Sequence, residues 1–476
     1  MDYFFAMLFL GMYFIRPQDW VPGLVGANVI RPVMLGWFAS VAGYGSSSKI
    51  PGWFSTPHDW VIAIYYAYVV WTAPPGIGAG MGMFSLVVFY FLTVHALGDW
   101  RRVLGYLKFW NVLLLCVAGF GVLQVLGMDI TGGRQATEIF LGRLSLGTWL
   151  ADNPNALGHT VVLAIPLSYV LFFWRGSIAG RLFIFPTCFA LAGWCAWQTQ
   201  SKGSFLVGAG LTVLIFVVGR PKWVQIMVVS LALVTGVGAL SFLPRMEEMG
   251  NLRADEGVLG RLMAWEMAKT SMDSNTFGVG WKQFIALLDW QDGRRFYHDI
   301  PKATHCSYVQ VGADLGRYGL YLYLMGIWVA LRTLLSGKGL TDDQERCRRA
   351  VLLLLLGYLA SGWMINRQYH TEYFLMIAAA AAIHRLKLAR EEGLDSTAEA
   401  TLDDGGADGA VGAASWGRGG RAIPGQEHIR NDLDESGLPQ TKPRKMWNRL
   451  GWLDLAMTGA MTWGVLWTWD YILKNL

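Results

Sequence analysis

Between Val207 and Val218 the chain runs twelve residues without a charged side chain, and from Val351 to Leu356 it is aliphatic without a break. A helix on a soluble core needs only one apolar stripe. These runs are apolar on every face, the pattern of segments surrounded by lipid. Composition agrees: 54% of the 476 residues are hydrophobic and 15% are charged, against about 25% charged in an average soluble domain. The 23 Trp and 18 Tyr suit a membrane protein, since their amphipathic rings collect at the interfaces. The net charge of +5 is spread over many loops and forms no basic stripe of the kind that binds nucleic acid. Cys116, Cys188, Cys195, Cys306 and Cys347 are odd in number and irregularly spaced, so neither a disulfide framework nor a CxxC metal site is expected. The first residues lack a basic region and a small-residue cleavage site, which reads as an uncleaved first helix.

Thirteen stretches have the apolarity of a span: roughly 3–15, 29–44, 59–73, 82–97, 107–127, 157–174, 181–198, 203–219, 222–243, 307–334, 349–366, 371–385 and 452–473. The expected fold is therefore an all-α polytopic membrane helix bundle of about 12–13 transmembrane helices, with residues 1–385 as the main bundle. With the N-terminus in the cytoplasm, thirteen lysines and arginines fall in short inside loops and six in short outside loops, as the positive-inside rule requires. Arg16 and Arg31 run against it. Residues 244–306 then form one large extracytoplasmic loop. Residues 386–446, rich in Gly, Asp, Glu and Ala, offer little apolar surface to offset ordering entropy and read as a disordered cytoplasmic tail. A last transmembrane helix occupies 447–476.

Four polar stretches fall on the side assigned as outside. The first, Leu144 to His159, contains Asn153-Pro154-Asn155. Its asparagines either cap a membrane helix or hydrogen-bond a sugar or phosphate at that helix start. The second is Thr199-Gln200-Ser201-Lys202-Gly203. Lys202 is either an interfacial anchor or a cation facing a phosphate. The third holds Arg261 and Trp265, four apart on one face of an amphipathic helix, then Gly278-Val279-Gly280. The fourth is His305-Cys306-Ser307-Tyr308 leading to Asp314-Leu315-Gly316, Arg317 and Gly319. His305 stands where a cation-rich loop enters a helix, which favours a functional role. Asp314 and Arg317 are expected to pair within that helix. Nothing in sequence marks Cys306 as an activated nucleophile.

Taken in order, these stretches resemble the O-antigen ligase and polymerase family of membrane glycosyltransferases, over roughly residues 140–330. That family shows an Asn-Pro-Asn turn, a Thr-Gln-Ser-Arg-Gly motif, a loop with an Arg and a Trp four residues on, a Gly-x-Gly turn, and a His-Asn-x-Tyr start before Glu-Leu-Gly-x-x-Gly. Here Lys202 replaces the arginine, Cys306 the asparagine and Asp314 the glutamate. A lysine keeps the charge but loses the bidentate fork.

The resemblance implies a C-type membrane glycosyltransferase bundle (GT-C-like) in the bacterial inner membrane, with its site facing the periplasm. It implies transfer of a glycan from an undecaprenyl-diphosphate carrier to a lipid A-core, protein or other glycan acceptor, with no metal or other cofactor. On that reading His305 is the general base, Arg261 the chief diphosphate contact, and Arg253, Lys202, Asn153 and Asn155 supporting contacts to diphosphate or glycan. A polymerase of lipid-linked repeat units stays open as an alternative. So does a lipid-linked glycan flippase or transporter, although transporters favour charges at the midplane and internal repeats.

Overall fold

The computed structural model describes residues 1–43, 52–74, 78–128, 142–146, 153–218, 220–240, 256–292, 295–337, 339–391 and 449–475. Each of the thirteen apolar stretches has a helix over most of its described residues. The chain opens with α1 (Asp2–Phe14), a short α2 (Pro17–Trp20), α3 (Ile30–Gly43), α4 (Pro57–Thr72), α5 (Ala79–Ala96) and α6 (Trp100–Val125). Next come α7 (Pro154–Val161) and α8 (Ala164–Ser168), then a π-helical turn at Tyr169–Phe173. A second π-helical turn, Gly180–Ile184, leads into α9 (Phe185–Thr199), followed by α10 (Lys202–Val217) and α11 (Lys222–Leu240). After α12 (Glu256–Ser274), strands β1 (Ala286–Asp292) and β2 (Arg295–Lys302) form the antiparallel hairpin that interrupts the all-helical pattern. The chain continues with α13 (Ser307–Leu335), α14 (Asp342–Ser361), α15 (Thr371–Glu391) and α16 (Trp452–Asn475). Among the described residues, five helical segments are long and apolar enough to cross a membrane: Ala79–Ala96, Trp100–Val125, Pro154–Phe173, Gly180–Thr199 and Ser307–Leu335. The fold is an all-α polytopic membrane protein.

Helix α13 is the axis of the bundle, packed against α4, α12, α14, α15 and α16. Its ring of Tyr323 stacks on Tyr373 of α15 at 4.7 Å. Several buried charges are paired. Asp59 of α4 accepts from Arg385 at 2.7 Å and from Tyr90 at 2.8 Å, which avoids the heavy cost of a lone charge out of water. Helix α16 runs antiparallel to α13. Asp454 near its start accepts from Trp328 Nε1 at 3.0 Å and pairs with Arg332. Trp469 near its end is buried against Gly312 and Met272, and Asp470 pairs with Lys269 at 3.2 Å.

The helix α13 breaks at Gly316, where φ is +68°. A β-carbon there would stand 2.3 Å from the Thr276 carbonyl oxygen. The Gly278-Val279-Gly280 turn fills the break: Val279 N–H donates to Ala313 O at 3.3 Å and Gly280 N–H to Asp314 O at 2.7 Å. Non-helical backbone within a membrane bundle survives only where such partners meet its freed groups.

Two expectations are corrected. Asp314 does not pair with Arg317. Its carboxylate accepts from Phe284 N at 2.8 Å, Tyr369 Oη at 2.9 Å and Gln310 Nε2 at 3.2 Å, while Arg317 reaches outward to Asp273 at 2.6 Å. The break at Gly316 separates the two residues' surroundings, so helical spacing no longer makes them neighbours. Residues 386–391, expected to belong to the tail, are instead the last turns of α15, which runs on to Glu391. Leu386, Leu388 and Ala389 are buried there, and that apolar face extends the helix. The rest of the tail and residues 244–255 of the large loop lie outside the described residues.

Candidate functional site

The polar stretches meet at one end of the bundle. Asn153 caps α7, its side chain accepting from Ala156 N–H at 2.9 Å. Asn155 Oδ1 accepts from Arg143 at 2.9 Å, and the same guanidinium donates to the Thr199 carbonyl at 3.0 Å. Both asparagines thus do the work of helix-start architecture. The Thr199–Gly203 motif is the break between α9 and α10. Gln200 takes a left-handed conformation at φ 47°, and Ser201 caps α10 by accepting from Ser204 N–H at 3.3 Å. Lys202, half-buried, opens α10.

Gly203 faces His159 of α7. A β-carbon at Gly203 would stand 3.1 Å from His159 Nε2. His159 is buried, with Nδ1 3.0 Å from Ser361 Oγ, while Nε2 has no hydrogen-bond partner among the described residues.

Across from this pair, Trp265 of α12 donates from Nε1 to the Thr304 carbonyl at 2.7 Å, fixing the residue before His305. Thr304 Oγ1 lies 3.0 Å from Asn366 Oδ1 and 3.0 Å from Gln310 Oε1. On the other side, Ser307 N–H donates to Gly362 O at 2.7 Å and its hydroxyl to Ile365 O at 2.8 Å. Between these anchors His305 sits in the left-handed region at φ 49°, a conformation uncommon outside glycine and one that clusters at functional sites.

The electrostatics are cationic. Burial, then the charges of Arg261 and Lys302, pull the His305 imidazole down to about 4 from the usual 6.5. Arg261 is also within electrostatic range of His159 and Cys306. Burial pushes the Cys306 thiol up to about 12, so it is held protonated, the inert form. Among the described residues no group of three or more His, Cys, Asp and Glu side chains stands together as a metal site.

The structure therefore brings Arg261, His305, Lys202 and the start of α7 to one end. Arg253 lies outside the described residues. Sequence reading passed over His159, the last residue of a stretch it had singled out, because a buried histidine on an apolar helix carries no local mark of its aim. Arg367 belongs to none of the motifs either. Arg367 is 2% exposed. Its guanidinium pairs with Glu372 at 3.1 Å, donates to Ala156 O at 2.7 Å and bonds Thr160 Oγ1, and its N–H donates to Ser307 Oγ at 2.9 Å. It ties α7, α13 and α15 together under the histidines.

The helical bundle, with several segments long and apolar enough to cross a membrane, defines a multi-pass membrane protein that gathers cations and histidines at one end. The family model described as O-Antigen ligase matches residues 187–324, from within α9 to within α13. This segment holds Lys202, Arg261, Trp265, His305 and the Gly278–Gly280 turn. The match supports the family resemblance carried by those motifs, and with it a membrane enzyme of the O-antigen ligase and polymerase kind. No curated protein matches the chain.

Proposed function

We propose that the chain is a GT-C-like glycosyltransferase that moves a glycan from an undecaprenyl-diphosphate carrier to an acceptor hydroxyl or amide, at the periplasmic face of the bacterial inner membrane. The observation that carries this reading is the grouping of a half-buried histidine, held in the left-handed region, with Arg261 and Lys302, within the segment that matches the ligase family. The acceptor atom attacks the anomeric carbon, the bond from that carbon to the diphosphate oxygen breaks, and the diphosphate leaves with the electron pair. His305 takes the acceptor's proton as general base. Arg261 neutralises the diphosphate, with Lys202 and Arg253 in support, because charge-assisted contacts to phosphate are the strong ones.

The depressed His305 fits this scheme. Burial with the charges of Arg261 and Lys302 keeps the imidazole neutral and able to accept a proton, though as a weak base. A bound diphosphate cancels the field of Arg261 and Lys302, and so raises the affinity of His305 for the proton it must take. Asn153 and Asn155 then act by setting the α7 start rather than by touching glycan. A polymerase differs only in its acceptor, a second lipid-linked glycan. The test is a transfer assay with purified protein, a lipid-diphosphate glycan and candidate acceptors. Transfer that is lost in His305→Ala is expected. No transfer to any acceptor overturns the reading.

A further inference from the structure

Beside the histidine loop lies a second polar cavity of about 520 Å³, within the roughly 300–1,000 Å³ that encloses a small organic ligand. Lys282 and Lys302 come to it from either side of the β-hairpin, Gln310 and Asp314 from the first turns of α13, and Gln368 and Tyr369 from the α14–α15 connection. Lys302 joins it to the site described above. Its Cε lies 2.8 Å from the β-carbon position of Gly260, one residue before Arg261, and its charge acts on His305.

Three features specify what fits. The Asp314 carboxylate is already met by the three donors Phe284 N, Tyr369 Oη and Gln310 Nε2, so it does not call for a cation. Gln368 is 6% exposed, and its Oε1 has no hydrogen-bond partner among the described residues. A buried acceptor without a donor is costly, so the matching ligand brings one. A deprotonated phosphate has none to bring, whereas a sugar hydroxyl does. Finally, the surroundings are cationic. Lys282 Nζ stands 4.6 Å from the Trp281 ring centroid, and burial together with Arg367 and Lys282 holds His370 down to about 3. Tyr369, packed on Trp281 at 5.7 Å, supplies an aromatic wall for the C–H face of a ring.

We propose that this cavity is a subsite for an acidic sugar, a pyranose whose hydroxyl donates to Gln368 and whose carboxylate is met by Lys282 and Lys302. The proposal rests on the glycosyl-transfer reading and adds to it a preference in the glycan. The acidic sugar belongs either to the glycan being transferred or to the acceptor.

Saturation-transfer NMR on the full chain in nanodiscs, with D-glucuronate, D-glucose and pyrophosphate as probes, tests it. Glucuronate is expected to bind and glucose much more weakly. Lys282→Gln is expected to weaken glucuronate about tenfold or more, the effect of losing a hydrogen bond to a charged group, and Gln368→Ala by about twofold to tenfold, the effect of losing a neutral one. Lys282→Arg should keep binding, which shows that the fold of the variants is not at issue. Equal binding of glucose or unchanged binding in both loss variants overturns the proposal, as does pyrophosphate binding that Lys282→Gln and Gln368→Ala weaken as much as they weaken glucuronate. Transfer assays with the uronate placed only in the donor or only in the acceptor then locate it, since Lys282→Gln raises KM for the substrate that carries it. Glucuronate binding without any transfer sinks the enzymatic reading and leaves the subsite standing. Transfer without glucuronate binding does the reverse.

Discussion

His159 Nε2 lies 3.1 Å from the place a β-carbon would occupy on Gly203, and Met364 closes the same spot at 3.1 Å. Adding one methyl there pushes the histidine or the methionine. Gly203→Ala is therefore expected to cost about 1–3 kcal/mol, the range for overpacking, and to lower transfer. Gly210 on the same helix has open space around its β-carbon position. Gly210→Ala should be neutral or stabilising by up to ~1 kcal/mol. Thermal unfolding of the two purified variants compares them directly, and equal stability of the two would show that Gly203 is not packed as described.

Arg367 and Glu372 are a buried ion pair, 2% exposed each. Removing one partner strands the other. Arg367→Ala should destabilise by about 3–5 kcal/mol, whereas Arg367→Met with Glu372→Leu should retain more stability than the single change. Detergent-solubilised yield and melting temperature read the difference. A single variant as stable as the parent contradicts the pairing.

His305 sets a pH dependence of known sign. Its folded value of about 4 lies below its ordinary 6.5, so between those values the unfolded chain binds the proton and the folded chain does not. Stability contributed by His305 is present above about 6.5 and is lost as pH falls toward 4. For catalysis, kcat/KM reports the free enzyme and kcat the bound complex. The acidic limb of kcat should lie higher than that of kcat/KM, because bound diphosphate offsets Arg261 and Lys302. Arg261→Met should raise the kcat/KM limb partway, burial remaining as the larger cause. His305→Ala should lower turnover by about 10²–10⁴-fold with Cys306→Ala near neutral. A thiol-dependent rate in the presence of an unaffected His305→Ala would reassign the chemistry.

Arg261→Lys preserves charge but not the planar fork. Loss of one contact to phosphate should cost about 1.5–3 kcal/mol, seen as reduced kcat/KM. Parent-like transfer in both Arg261→Lys and Arg261→Ala removes the residue from the site.

The sidedness of the hairpin is tested by Asp289→Cys, an exposed position on β1. A membrane-impermeant thiol reagent should label it in intact cells. Labelling only after lysis would put the site in the cytoplasm, away from a periplasmic glycan.

Helix positions were legible because lipid imposes apolarity on every face, a signal that needs no knowledge of neighbours. The ordering of Lys202, Arg261 and His305 was legible as motif spacing. The partners were not. Asp314 looks like a helical mate for Arg317 until Gly316 turns the backbone to φ +68°, and Arg317 instead finds Asp273, 44 residues away. The β-hairpin was missed although Asp292-Gly293 is a turn-forming pair, since the cation-rich loop drew a functional rather than a structural reading. His159 and Gln368 gain meaning only from what lies opposite them in space.

The docking of α16 on α13 has a consequence for biogenesis. Arg332 meets Asp454 across 122 residues of sequence, and the Gly312 notch is filled by Trp469. Both partners emerge from the ribosome after α13 has been threaded into the bilayer. Until then Arg332 lacks the Asp454 carboxylate, and insertion scales penalise an arginine by about 2.5–3.5 kcal/mol at a membrane-helix centre and less near an end. Helix α12 likewise lacks the Asp470 carboxylate that meets Lys269. The histidine loop lies between α12 and α13, so the end of the bundle that carries it acquires its final rigidity only when the last helix packs against both.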